Sequence, residues 1–218
     1  GFLCVSAPLR QTIILRDSFH TMPRARSGER RQEILETLAR MLVELSGEHV
    51  TTAKLAHAAG VSEAALYRHF PSKAKMFEAL IEFIEESIFT RITRILADDA
   101  RAGARVQQIM TLLLGFADRN PGMARILYGD ALVGETERLR QRVSQIYDRI
   151  ETQFKQILRE ADPTGFPAYP VAETATLLLA FVEGRIAHFV RGGFRDSPLE
   201  GWDKQWEMLK AGFRPLAE

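Results

Sequence analysis

From about Arg30 onward, apolar residues recur every three to four positions, and this spacing predicts helix almost throughout the chain. Ile34, Leu35, Leu38, Met41, Leu42 and Leu45 form one stripe across residues 30–46, with charges on the opposite face and Gly47 placed to end the helix. Thr51 and Ser62 stand as N-caps of two short helices, 52–59 and 63–70, closed by Gly60 and Pro71. Ser72 caps a long fourth helix to about residue 97, striped by Phe77, Leu80, Ile81, Ile84, Ile88, Ile92 and Ile95. A loop at 98–104 leads to a fifth helix, about 105–119. A short sixth opens with Asn120 as cap and Pro121 in its first turn. A seventh spans about 135–160, and residues 162–170, with three prolines and a glycine, form a connector. Helices at 171–190 and about 199–213 complete the set. No stretch alternates with period two for long enough to make a strand, so the expected fold class is all-α.

Composition narrows this further. The 218 residues are 46% apolar and 26% charged, as in a globular chain of one or two domains. A net charge of +1 gives no global pull toward a polyanion, but residues 22–75 hold nine Lys or Arg against six Asp or Glu, a local +3. One cysteine, Cys4, excludes an intrachain disulfide framework and a cysteine-rich zinc site. Residues 1–9 are apolar but lack a basic leader and are followed by Arg10. They make a poor signal peptide and are too short to span a bilayer. Met22 is a more natural start than Gly1, and residues 1–28 are expected to be a disordered extension. With no membrane-spanning run elsewhere, the expected location is the cytoplasm, without membrane contact.

Catalytic chemistry finds no foothold. The chain lacks a Gly-x-Ser-x-Gly elbow, a His-Glu-x-x-His pair and a glycine-rich phosphate loop. Glu85-Glu86 and Asp98-Asp99 are adjacent, so on a helix they point apart, and the five histidines show no ligand spacing. An enzyme is not expected, nor is a metal or cofactor.

Residues 51–70 carry the chemistry instead. Gly60 supplies the positive φ of a tight turn between two short helices, while Leu55, Ala56, Val61, Leu66 and Phe70 are spaced to pack them on the first helix. That leaves Ser62, Glu63, Ala64, Tyr67, Arg68 and His69 facing outward. Short side chains at the start of such a helix let its backbone approach base edges in a major groove. Ser62 and Tyr67 can donate to phosphate oxygens, and Arg68 can meet phosphate or guanine. Thr51 and Thr52 open the preceding helix, where free N–H groups favour a phosphate. Lys73 can reach the flanking strand. His69 serves equally well as a structural hydrogen-bond residue. The expected partner is double-stranded DNA.

Gly60-Val-Ser-Glu-Ala-Ala-Leu-Tyr-Arg-His-Phe-Pro-Ser-Lys73 resembles the signature of the TetR family. The resemblance implies a helix-turn-helix head, residues 29–73, and a helical body, 74–218, whose last two helices pair across a two-fold axis in a homodimer. In the first of these, Leu177, Leu178, Leu179, Phe181 and Val182 make the surface apolar nearly all round, and Ala175, Ala180, Gly184 and Ala187 permit close crossing. Trp202 and Trp206 suit core packing and a dimer contact about equally.

Residues 31–38 and 51–73 of the head, and 76–87, 112–116, 119–122 and 181–189 beyond it, are similar to the nucleoid occlusion factors of that family, with departures at 98–104, 162–170 and the C-terminus. This narrower resemblance implies binding to palindromic DNA on the nucleoid and, while bound, antagonism of the division GTPase FtsZ. The matching docking positions are Phe83, Arg91, Leu112, Gly115, Arg119 and Asn120. Phe83 falls off the apolar stripe of its helix and is expected outside the core. Gly115 in mid-helix costs about 1 kcal/mol against alanine, which a smooth docking surface or a closely packed helix would explain. Arg91 at the stripe's edge also fits a snorkelling side chain. The alternative is a ligand-responsive repressor with a cavity lined by Met110, Phe116, Leu127 and Phe154. A Met and Phe set at helical spacing is equally the mark of a filled core, and no small-molecule ligand is expected.

Overall fold

A computed structural model describes residues 26–45, 50–98, 101–161 and 170–212. Among them are nine α-helices and one 3-10 turn. The head holds α1 (Arg26–Glu44), α2 (Thr52–Ala58) and α3 (Glu63–His69). The body holds α4 (Lys73–Asp98), α5 (Ala102–Arg119), α6 (Pro121–Tyr128), the 3-10 turn Asp130–Leu132, α7 (Glu137–Arg159), α8 (Val171–Arg191) and α9 (Trp202–Gly212). The expected extension 1–28 up to residue 25, the stop at Gly47, the connector at 162–169 and the end at Phe213 lie outside the described residues.

Two boundaries differ from expectation. The predicted loop at 98–104 is mostly helix, since α4 reaches Asp98 and α5 begins at Ala102. Arg105 ties the two helices together: its Nη2 donates to the Leu96 carbonyl at 2.9 Å and so caps the end of α4. The last helix starts at Trp202 rather than near Leu199. The corner before it turns through positive φ at Gly193, Phe194 and Gly201, and Arg185 holds it by donating to the carbonyls of Ser197, Pro198 and Glu200.

One continuous core runs through head and body. Ile34, Leu38, Leu55, Leu66 and Phe70 close the head, and Met76, Phe77, Ile81 and Ile84 carry the same core into α4. Met110, Phe116, Leu127 and Phe154, the residues of the alternative cavity, are all buried in it. Helices α4 and α5 pack together, as do α7 and α8, while α6 lies between α1 and α8.

The α1–α6 joint is unusually close. A Cβ placed on Gly122 would lie 2.2 Å from the Ala39 carbonyl oxygen, so only glycine fits there. One turn on, buried Arg125 donates from Nη1 to the carbonyls of Leu42 and Leu45 at 2.8 and 3.1 Å, and from Nε to Asp130 at 2.9 Å. Leu42 lies in the last turn of α1 and Leu45 just beyond it, where helix carbonyls run out of intrahelical donors. A cation there also complements the negative end of the helix dipole. The body thus supplies the C-cap of the head's first helix.

Candidate nucleic-acid interface

The two short helices form as their caps dictate. Thr51 accepts from the Lys54 amide and Ser62 from the Ala65 amide, both at 3.2 Å. Gly60 takes φ +65°, and the Val61 amide returns to the Ala56 carbonyl at 3.0 Å, setting the turn. Leu66 is fully buried on the inner side of α3, and Leu55 and Ala56 on the inner side of α2. Ser62, Glu63, Ala64, Tyr67 and Arg68 are therefore held on the solvent side, with Tyr67 44% exposed.

A polar brace fixes the angle between the two helices. Tyr67 donates its hydroxyl to Thr52 Oγ1 at 3.4 Å, and Thr52 donates to Glu63 Oε2 at 3.2 Å. Thr52, Glu63 and Tyr67 thus orient one another as well as facing outward. Arg31 of α1, which sequence reasoning missed, clamps the far end of α3. Its Nη1 donates to the His69 carbonyl at 3.3 Å and its guanidinium lies 4.2 Å from the Phe70 ring centroid. His69 itself is half-buried.

Lys73 sits differently from the others. Its ammonium pairs with Glu135 of the body at 2.5 Å and lies 5.7 Å from the Phe77 ring centroid. Beside it, Lys75 meets Glu78 at 2.6 Å, and that hydrogen bond, joined by the charges of Arg138 and Arg142, holds the Glu78 carboxyl below its ordinary range despite opposing desolvation. Lys75 and Glu78 stand three apart on one helix, a spacing legible in the sequence, whereas nothing in the sequence joins Lys73 to Glu135.

The second predicted surface, on α4 and α5, is brought together only in part. Arg91 and Leu112 are half-buried and Arg119 is exposed, whereas Phe83, Gly115 and Asn120 are buried. Phe83, expected outside the core, is only 8% exposed. The reason is that α4 is covered by α1, α5, α6 and α7, so its buried arc is wider than one stripe. Arg91 folds back to donate to the Ser87 carbonyl at 3.1 Å. The space above Gly115 is taken by its own helix's Arg119, whose Nη1 would lie 3.2 Å from an added Cβ. Asn120 was expected to cap α6 with its side chain; instead its amide donates back to the Phe116 carbonyl at 2.8 Å. With φ −129° and ψ 68°, the residue aims that side chain at α5.

The last two helices leave a third surface. Leu177 is 53% exposed and Met208 74%, Ala180 and Gly184 are exposed, and Phe181 and Ala187 are half-buried. Ala175 lies inside the core. Trp202 and Trp206 do too: Trp202 Nε1 donates to Thr111 Oγ1 at 2.7 Å, and its ring lies 5.6 Å from Phe181 and 5.9 Å from Trp206. The two aromatics fasten α9 to α5 and α8. No described helix is long and apolar enough to cross a membrane.

Comparison with known proteins agrees with this arrangement. Residues 34–80 match the family described as bacterial regulatory proteins, tetR family, and residues 100–214 match the SlmA-like form of the tetracyclin repressor-like, C-terminal domain. The nucleoid occlusion factor SlmA of Marinomonas sp. (strain MWYL1) is 58% identical over 186 residues, covering 84% of this chain and 94% of that protein. Its counterpart from Colwellia psychrerythraea (strain 34H) is 53% identical over 184 residues, 84% of this chain and 93% of that one. Among solved structures, the MbdR regulator from Azoarcus sp. CIB superposes with a TM-score of 0.71 at 19% identity, over 88% of this chain and all of that one. FadR from Bacillus subtilis, solved with stearoyl-CoA, does so at 0.66 and 17%, over 84% and 98%. At those identities the two structures speak for the fold alone.

Proposed function

The chain belongs to the TetR family and, within it, to the nucleoid occlusion factor SlmA family, and from that premise we propose that it works as a homodimer on palindromic chromosomal DNA and, while bound there, antagonises FtsZ. Each protomer sets α3 into a major groove, the two copies about one helical turn apart. Ser62 and Ala64 bring the backbone near base edges, Arg68 meets phosphate or guanine, and Thr51, Tyr67 and Lys73 meet phosphates. The observation that carries this reading is the solvent face of α3, kept outward by the buried Leu66 and held at a fixed angle by the Thr52–Glu63–Tyr67 brace. Leu177, Ala180, Gly184 and Met208 are the natural seam for the second protomer, since an apolar strip of this kind is otherwise left in water.

For FtsZ, the accessible part of the α4–α5 surface is Arg91, Leu112 and Arg119, with Phe83, Gly115 and Asn120 supporting it from beneath. The protein then resides in the cytoplasm on the nucleoid. Co-sedimentation of FtsZ polymers with the protein, with and without chromosomal fragments, tests the reading. Recovery in the pellet should rise when DNA is present; equal recovery in both arms would refute the DNA requirement. Arg91→Asp and Arg119→Asp should leave DNA affinity intact and remove the protein from the pellet. Retention of both variants would place FtsZ elsewhere. Phe83→Asp is unsuited to this purpose, because it buries a charge in the core.

A further inference from the structure

Glu135 lies in the connector between the 3-10 turn and α7, and its position is fixed from several sides. Its amide donates to the Leu132 carbonyl at 3.1 Å, Gly134 before it takes φ +80°, and Arg140 Nη1 donates to the carbonyls of both Leu132 and Glu135 at 3.3 Å. A few residues earlier, Asp130 is held by Arg125. The connector therefore presents the Glu135 carboxylate, only 13% exposed, to the first residue of α4. There it meets Lys73, whose side chain is 26% exposed. The neighbouring cations are directed elsewhere: Lys75 reaches Glu78 at 2.6 Å and Arg138 reaches the same carboxylate at 3.8 Å.

A lysine ammonium engaged by a largely buried carboxylate cannot move to a phosphate without leaving that carboxylate unpaired in a poorly hydrated site. We propose that Glu135 sets the strength of DNA binding by competing with a backbone phosphate for Lys73. Every binding event exchanges an ion pair within the protein for a protein–DNA one. The body thereby restrains affinity for all sequences alike, because a phosphate contact carries no base information. This inference rests on the assignment of Lys73 to phosphate made above, and the experiment separates the two.

Affinity for a fixed duplex, followed by fluorescence anisotropy across a salt series, is measured for the wild type, Glu135→Gln, Glu135→Asp, Lys73→Ala and the double variant Lys73→Ala/Glu135→Gln. Freeing Lys73 by Glu135→Gln should tighten binding about 2- to 5-fold. The salt slope should stay close to the wild type's, because Lys73 meets the same phosphate in both complexes, whereas Lys73→Ala should make the slope shallower by about 0.9. Glu135→Asp keeps the charge but withdraws it by one methylene, so it should also bind more tightly than the wild type. In the Lys73→Ala background, Glu135→Gln should have no effect, as a double-mutant cycle requires of a coupled pair. Unchanged affinity in Glu135→Gln, or the same tightening with Lys73 absent, overturns the competition. If Lys73→Ala alone binds like the wild type, the phosphate assignment of Lys73 fails first.

Discussion

Replacing Gly122 with alanine sets two effects of opposite sign against each other, and the structure gives the winner. Alanine is favoured over glycine in a helix by up to about 1 kcal/mol, so the substitution would stabilise α6 if there were room. There is none: the new Cβ falls 2.2 Å from the Ala39 carbonyl oxygen and 3.1 Å from its carbon, both backbone atoms that no rotamer change can move. Real Cβ contacts essentially never close below 3.0 Å, so α1 and α6 must part by nearly 1 Å. A gap of that size forfeits a quarter to a half of the dispersion energy along the joint. It also stretches the Arg125 bonds to Leu42 and Leu45 from 2.8 and 3.1 Å toward the limit of hydrogen bonding. Overpacking of this kind costs about 1–3 kcal/mol and weakening a bond to a charged donor about 1.5–3 kcal/mol. Against the propensity gain, the net loss is roughly 1.5–5 kcal/mol. Urea unfolding followed by circular dichroism should show the midpoint falling with the slope unchanged, and DNA affinity should fall with it as α1 loses its seat. A Gly122→Ala protein as stable as the wild type would refute the reasoning.

Gly184 and Glu183 supply further tests. Gly184 has nothing within 4 Å of an added Cβ, so Gly184→Ala should stabilise the isolated protomer by up to about 1 kcal/mol. The same change, like Leu177→Glu, should weaken self-association in light scattering if α8 is the dimer seam; an undiminished dimer in both places the seam elsewhere. The Glu183 carboxyl is pushed above its ordinary value by partial burial and then by Glu151. A raised folded-state value means that the ionised group disfavours folding at neutral pH and ceases to do so once both states are protonated. Glu183→Gln should therefore melt higher than the wild type near about pH 7, with the gap closing as pH falls toward about 4. A gap that widens on acidification would reverse the assignment.

The head was largely legible in the sequence because its signals are local. Thr51 and Ser62 cap as read and Gly60 turns as read, each within a few residues of the group it serves. Phe83 departs from expectation because a single-stripe rule assumes one covered side, and α4 is covered by four helices. The group above Gly115 stands one turn away on the same helix, in Arg119, and no periodicity says that a side chain folds back over a glycine. Lys73 with Glu135 and Arg125 with Leu42 join positions far apart in the chain, 83 residues in the latter case, and no periodicity or cap announces such pairs. The brace among Thr52, Glu63 and Tyr67 lies between these extremes. Its members were singled out for DNA, and their mutual bonding emerged only once two helices were set at an angle.

The chain holds two tryptophans, and both are buried on α9. Light absorbed at the red edge of the protein spectrum is therefore emitted from a single spot, in the body and away from the reading helix. Its intensity and colour monitor how firmly α9 is docked. A change in that emission during a titration with oligonucleotide would mean that an event at one end of the molecule had reached the other.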